Sequence, residues 1–192
     1  MFSKKRNYLL VVTALLMCAF VTACSFDETE KANKLVDAAN TAIKDANDKN
    51  VRGTNNLVDM EKAIPEMSDD ADLERLRSKA KDIIADLEKA RDGYKEAGSK
   101  FDEAGKLDVK DKFKEYLNFK AKEMNTRSEM AAAVIAEPKA LIDSKGPDEY
   151  QKKIDGLLAK VTNLRKDAED LAGKADKIFE ENKDLFKSDA GK

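Results

Sequence analysis

The stretch KANKLVDAANTAIKDAND, residues 31–48, repeats the dipeptide Ala-Asn every seven residues. Its small residues Ala32, Ala39 and Ala46 are spaced by seven, and the larger Val36 lies between the first two. Alternating steps of four and three residues place such side chains on one stripe of an α-helix, as in a coiled coil. The stretch therefore predicts a long helix that buries this stripe against a partner helix.

The same pattern continues to residue 64 and sets the bounds of the first predicted helix, 27–64. The two positions of the stripe read Ala32, Ala39, Ala46, Gly53 and Met60, and Val36, Ile43, Asn50, Leu57 and Ile64. Ser25 and Glu28 have the spacing of a capping box at its start. Pro65 ends it, because the residue before a proline disfavours helix. We expect one helix with a kink or a frayed stretch near Gly53.

Three further helices follow from the same seven-residue pattern. They are 69–104, 108–143 and 147–187. Pro138 predicts a kink in the third, and Pro147 suits the first turn of the fourth. Short connections between helices of similar length make neighbours antiparallel. The predicted fold is all-α: an up-down-up-down antiparallel four-helix bundle with coiled-coil-like heptad packing, in a single domain over 24–192. Two helical hairpins that assemble with other chains are the alternative.

Asparagines flank or interrupt the apolar stripe. Asn33, Asn40 and Asn47 lie beside it, whereas Asn50 and Asn182 fall within it. The simpler interpretation is a polar edge that hydrogen-bonds water or a neighbouring helix. The alternative is a groove lined by Asn that fixes the helix register or receives a partner.

The start of the chain has the pattern of an export signal. Basic residues at positions 4–6 precede an apolar run, YLLVVTALLMCAFV, that is short for a membrane span. The sequence VTAC at 21–24 follows, and it resembles the lipobox of bacterial lipoproteins. The resemblance implies that residues 1–23 are a signal peptide and that Cys24 is the lipidation site. The chain is then a lipoprotein held to a membrane of the cell envelope by its N-terminal lipid.

The residue after Cys24 is Ser25. In bacteria with two membranes an Asp at this place tends to keep a lipoprotein in the inner membrane, so the resemblance implies an outer-membrane lipoprotein facing the periplasm in such a host. An even number of helices returns the chain to its anchored end. The terminal Lys of the murein lipoprotein links that protein to the cell wall. We expect that Lys192 does not do so in this chain.

The residue types that most catalytic sites need are missing from the sequence. It has no His, and its two Cys are Cys18, within the signal, and Cys24. This excludes His-based triads, His-ligated metal sites and thiol nucleophiles, and no Gly-rich phosphate loop occurs. Asp69, Asp70 and Asp72 begin a helix, where carboxylates favour the helix dipole. We expect no enzyme activity, no cofactor and no metal site, and the net charge of −2 argues against nucleic-acid binding.

The segment GKLDVKDKFKEYLNFKAKEM, residues 105–124, mixes lysines with aromatic residues. Its apolar positions are wider than one helix stripe, so we expect a wide bundle face edged by lysines or contact with an anionic membrane surface. The candidate membrane-contact residues are Lys110, Lys112, Phe113, Lys114, Tyr116 and Phe119.

Two functions of different classes fit these observations. The first is a non-enzymatic, lipid-anchored envelope protein that acts as a structural or protein-interaction module, with an envelope protein or a second copy as its partner. The second is a helical bundle in the periplasm that binds an apolar ligand, a lipid or an unfolded client. Small residues in the stripes and the aromatic third helix favour the second function where they leave a cavity.

Overall fold

The computed structural model describes residues 28–66 and 70–186 of the chain. Within these two ranges all regular structure is helical, which confirms the predicted all-α class. The α-helices are α1 (Thr29–Ala63), α2 (Asp70–Gly105), α3 (Asp111–Ile142), α4 (Pro147–Ile154) and α5 (Leu157–Glu181). Short 3-10 turns, Ile64–Glu66 and Lys183–Phe186, follow α1 and α5.

The long helices contact one another in chain order. α1 packs along α2, α2 along α3, and α3 along α5, while α4 lies against α3. In the described part of the chain, α1 and α5 do not pack closely along each other. α3 is therefore the central element, and one side of the molecule, between α1 and α5, is less tightly closed than the others.

The first helix is continuous through Gly53, as expected, and has no frayed stretch there. A Cβ added at Gly53 would lie 2.8 Å from the side chain of Leu87, and one at Gly93 would lie 3.0 Å from the Cβ of Ala46. Both distances are too short for ordinary packing. These glycines are thus explained by the close approach of α1 and α2, not by a change in the helix axis.

The capping box that was expected at the start of α1 pairs Glu28 with Ser25, which lies outside the described residues. Glu28 is the N-cap residue, but its carboxylate accepts a hydrogen bond from the backbone N–H of Asp108 at 3.0 Å. The Glu28 N–H donates in return to the Asp108 carbonyl at 3.0 Å. Glu28 thus ties the start of α1 to the loop between α2 and α3.

The predicted fourth helix, 147–187, is interrupted, which corrects the expectation of one continuous element. α4 ends at Ile154, Asp155 has an extended backbone with ψ 126°, and Gly156 has φ 85°. Only glycine adopts this left-handed conformation at little cost. The Asp155-Gly156 pair therefore separates α4 from α5 even though the apolar spacing runs through it.

Two apolar clusters form the core. The first joins the N-terminal half of α1 to the C-terminal half of α2 and to the start of α3. It includes Ala39, Tyr94, Phe101, Phe113 and Leu117. The second includes Leu57, Met60, Leu76, Leu87, Ile135 and Tyr150. Along α1 the Arg52–Asp86 ion pair falls between them, and Arg52 holds the pKa of the buried Asp86 carboxyl below its usual range.

Candidate functional site

The residues predicted from the sequence lie at one end of the molecule. Cys24 is outside the described residues. Lys110 and Lys112 are exposed, and Lys112 forms an ion pair with Glu115 at 2.6 Å. Lys114 is half-buried, with its Nζ 4.0 Å from Asp108. Acidic neighbours therefore offset part of the positive charge of this segment.

The aromatic residues of the same segment face the protein interior. Phe113 is 1% exposed, and its ring meets that of Phe186 edge-on at 4.7 Å. Tyr116 packs on Phe186 at 5.0 Å and on Phe179 at 6.2 Å. This corrects the expectation that Phe113 contacts a membrane surface, because helix packing has already removed it from solvent. Burial also raises the pKa of Tyr116 to about 12.

Phe119, the remaining aromatic candidate, is half-buried, and the Nζ of Lys174 lies 5.9 Å from its ring centre. The aromatic cluster of Phe113, Tyr116, Phe179 and Phe186 thus joins α3 to the end of α5. Membrane contact remains a prediction for the exposed Lys110 and Lys112 and for the half-buried candidates Lys114, Tyr116 and Phe119.

Two of the seven-spaced asparagines make hydrogen bonds to other elements. The Asn33 amide donates to the carbonyl of Phe186 at 3.1 Å. The Tyr94 hydroxyl donates to the Asn47 side-chain oxygen at 2.7 Å. Asn40 is exposed. These bonds agree with the simpler interpretation, a polar edge that hydrogen-bonds neighbouring helices, since Asn47 connects α1 with α2 and Asn33 connects α1 with the turn after α5.

A groove opens between α1 and α5 at the other end of the molecule. It encloses about 580 Å³, and its lining includes residues of α1, α3, α4 and α5. We call it the α1–α5 groove; its apolar lining includes Leu57, Val58, Val134, Ile154, Leu158 and Val161. Val58 is 44% exposed and Leu158 is 79% exposed. Large aliphatic side chains thus stand open to solvent around a concave surface.

A pair of carboxyl groups lies within this groove. Glu61 comes from the last turns of α1 and Glu137 from α3, and the two side chains are hydrogen-bonded. The Tyr150 hydroxyl of α4 donates to Glu137 Oε1 at 2.7 Å. A second hollow of about 490 Å³ shares both carboxyl groups, together with Gln151 and Ile154. The pair therefore borders two hollows and joins three helices.

The surroundings of Glu137 favour its protonated form. Burial, the hydrogen bond with Glu61 and the charge of Glu61 raise the pKa of Glu137 to about 7, although the bond from Tyr150 acts the other way. Burial and the Glu137 carboxylate also raise the pKa of Tyr150. Below neutral pH, the protonated Glu137 can thus donate a hydrogen bond to Glu61. Such a pair can exchange a proton or accept a cation in its place.

Other buried carboxylates have basic partners. Glu123 on α3 is 2% exposed and is bonded by Lys120 at 2.6 Å and by Arg127 at 2.8 Å. A carboxylate held between two cations on its own helix is compensated, and its role is structural. Within the described ranges, no group of three or more Cys, His, Asp or Glu side chains is placed to hold a metal ion.

Sequence reasoning missed the carboxyl pair. Glu61 continues the seven-residue column of Asn33, Asn40, Asn47 and Thr54, so an acidic end to a polar column was visible. Its partner was not, because Glu137 is 76 residues away and their pairing depends on how α1 and α3 are aligned.

Comparisons with protein-family models, with curated proteins and with solved structures find no match to this chain. Among the helices in the described ranges, none is long and apolar enough to cross a membrane.

Proposed function

We propose that this chain is a non-enzymatic, lipid-anchored protein of the bacterial cell envelope whose helical domain binds an apolar ligand in the α1–α5 groove. The lipobox-like sequence ending at Cys24 supports the anchor and the location, which in a host with two membranes is the outer membrane facing the periplasm. The observation that carries the binding function is the groove itself, where exposed aliphatic side chains surround a concave surface.

The finer architecture is part of this proposal. The helices form an up-down-up-down antiparallel bundle with heptad-type packing, in which α4 and α5 together make the fourth member. Support comes from contacts at one end of the molecule: Glu28 bonds to Asp108, and Asn33 bonds to Phe186. An antiparallel bundle brings the start of the first helix, the second loop and the end of the fourth helix together in this way.

The groove has the size and the lining of a small-molecule site. Ligand pockets commonly enclose ~300–1,000 Å³ and are lined mainly by apolar side chains with a few polar groups, and the groove's 580 Å³ fits this range. Burying exposed aliphatic surface contributes roughly 25 cal/mol per Å². Covering Val58 and Leu158 with an apolar ligand is therefore favourable.

Binding of 1-decanol to the purified Cys24→Ala chain tests this function, because that variant carries no acyl chain that could enter the groove. We expect binding by isothermal titration calorimetry, and a loss of at least about tenfold in affinity for Leu158→Asp, since an ionised carboxylate would be desolvated by the ligand. Val51→Asp on α1 is the control, because Val51 is likewise an exposed aliphatic residue, at 56%, but does not line the groove. Absence of decanol binding by the parent chain would contradict the ligand-binding function.

The second candidate is the structural or protein-interaction module. The exposure of Val51, outside the groove lining, favours it, because an apolar surface wider than the pocket suits an envelope protein or a second copy of this chain. Concentration-dependent self-association that Val51→Asp abolishes would support this function over ligand binding.

A further inference from the structure

We propose that the α1–α5 groove is selective for an apolar ligand that carries a protonated amine, and that Glu61 and Glu137 bind the ammonium group. This inference rests on the proposed function, since it names the ligand class of the same groove. Its basis is the position of the carboxyl pair within an otherwise mainly apolar hollow and the balance of charge around the pair.

The pair lies where a ligand in the groove would reach it. Glu61 and Glu137 line both the 580 Å³ groove and the adjoining 490 Å³ hollow. The Tyr150 hydroxyl occupies one oxygen of Glu137 at 2.7 Å and orients that carboxyl group. A ligand whose chain covers Val58 and Leu158 would therefore place a polar end group near two carboxyl groups that belong to different helices.

The charged groups that line the two hollows are mostly acidic when the pair itself is counted. The charged lining residues, together with Tyr150 and Gln151, come from each helix that borders the hollows and from the α4–α5 junction. They are Glu61 of α1, Glu137 of α3, Asp148, Tyr150 and Gln151 of α4, Asp155 of the α4–α5 junction and Arg165 of α5. Among the residues that line the two hollows in the described structure, Arg165 is the one base against four carboxyl groups.

Nearby lysines on the same helices are engaged elsewhere. Lys62 pairs with Asp59 at 3.3 Å, and Lys139 with Glu88 at 3.6 Å. The carboxyl pair thus differs from Asp86 and Glu123, each of which already has a basic partner. A cation from outside would supply the missing compensation.

Binding of the ammonium group displaces a proton from the carboxyl pair. In the unliganded groove at low pH, Glu137 is protonated and donates a hydrogen bond to Glu61. An entering ammonium group donates its N–H bonds to the carboxylate oxygens instead, and the Glu137 proton leaves to solvent. Each bound amine therefore releases about one proton in acidic buffer and about none in basic buffer. Amine affinity should rise with pH, because protons compete with the ligand below neutrality.

Calorimetric titration of the Cys24→Ala chain with n-decylamine, 1-decanol and decanoate tests the inference. We expect decylamine to bind at pH 8.5 about tenfold more tightly than decanol, the effect of a charge-assisted hydrogen bond, and decanoate to bind more weakly than both. The preference for the amine should shrink at pH 5.5. Glu137→Gln should remove the preference and its pH dependence.

Two further variants make the result specific. Glu61→Gln changes the exposed member of the pair and should also reduce the preference for the amine, whereas Glu129→Gln, an exposed carboxylate of α3 outside the groove, should not. Equal binding of decylamine and decanol, or an unchanged preference in both Glu61→Gln and Glu137→Gln, would overturn the inference and leave the proposed function intact. Absence of decanol binding by the parent chain would instead overturn the proposed function.

Discussion

At the scale of single residues, Glu137 is a carboxyl group whose partial burial disfavours its charged form. Its pKa of about 7 lies above that of a carboxyl group in an unfolded chain, about 4.3. A raised acid pKa means that, between these two values, the folded state binds more protons than the unfolded state. The free energy of unfolding therefore falls as the pH rises through this window, and the loss is complete above about pH 7.

Glu137→Gln should remove this loss, because the amide cannot ionise but can still accept from Tyr150 and donate to Glu61. Relative to the parent chain, we expect the variant to gain on the order of 1–2 kcal/mol between pH 5 and pH 8, less than the full linkage value because water reaches the groove. Urea unfolding at pH 5, 6.5 and 8 measures it. Glu129→Gln serves as the control, and parallel stability curves for Glu137→Gln and the parent would show that the pair holds no proton.

At the scale of helices, the sequence predicts three elements well and misjudges the fourth. The spacing of small and large residues along α1, α2 and α3 matches the side chains that these helices bury, because a regular stripe is a local property. The same spacing runs from Ile154 to Leu157 and Val161, so the pattern does not register the break at Gly156. The Asp-Gly dipeptide was the available signal. The groove escaped prediction since it depends on how loosely α5 lies beside α1.

α5 should be the least protected of the long helices. Of its apolar stripe, Ala168, Ala175 and Ile178 are buried, whereas leucines such as Leu164 and Leu171 are only half-buried. α2, packed between α1 and α3, buries large side chains along its length. Segments with few buried apolar contacts open at lower free energy.

Amide hydrogen exchange measured by mass spectrometry should therefore give α5 protection factors at least about tenfold below those of α2. Saturating decanol should narrow the difference most around residues 157–165, which line the groove. Equal protection of α2 and α5 in the free protein would mean that the α1–α5 side is as firmly packed as the rest.

At the scale of the whole molecule, the two regions of interest lie at opposite ends of α1. The start of α1 contacts Asp108 and Phe186, which places the exposed Lys110 and Lys112 at that end. The α1 residues that line the groove run from Thr54 to Glu61, in the C-terminal part of the helix. With 35 residues, α1 is about 50 Å long. A ligand site would then face away from whatever surface holds the start of the chain.

The proposed lipid anchor would convert this separation into an orientation. Cys24 and Glu28 are four positions apart in the sequence, so their Cα atoms are at most about 14 Å apart in any conformation. Acyl chains on Cys24 would hold the Lys110 end near the bilayer, where lysines favour anionic headgroups, and would keep the groove tens of ångströms away. Once Cys24 is acylated and residues 1–23 are removed, an introduced cysteine is the sole thiol in the sequence, so single fluorophores can report each end.

We expect a fluorophore at Lys110→Cys, in the acylated protein on vesicles that contain nitroxide headgroup lipids, to be quenched strongly, and one at Glu66→Cys to be quenched little. Both positions are exposed, which matches their access to solvent. Quenching should fall at Lys110→Cys when Cys24→Ala removes the anchor, with Cys18→Ala added so that residue 110 still carries the sole thiol. A fatty-acid probe should label the parent but not the Cys24→Ala variant. Equal quenching at the two positions would mean that the helices lie flat on the membrane, and the groove would then open beside the bilayer instead of into the aqueous space.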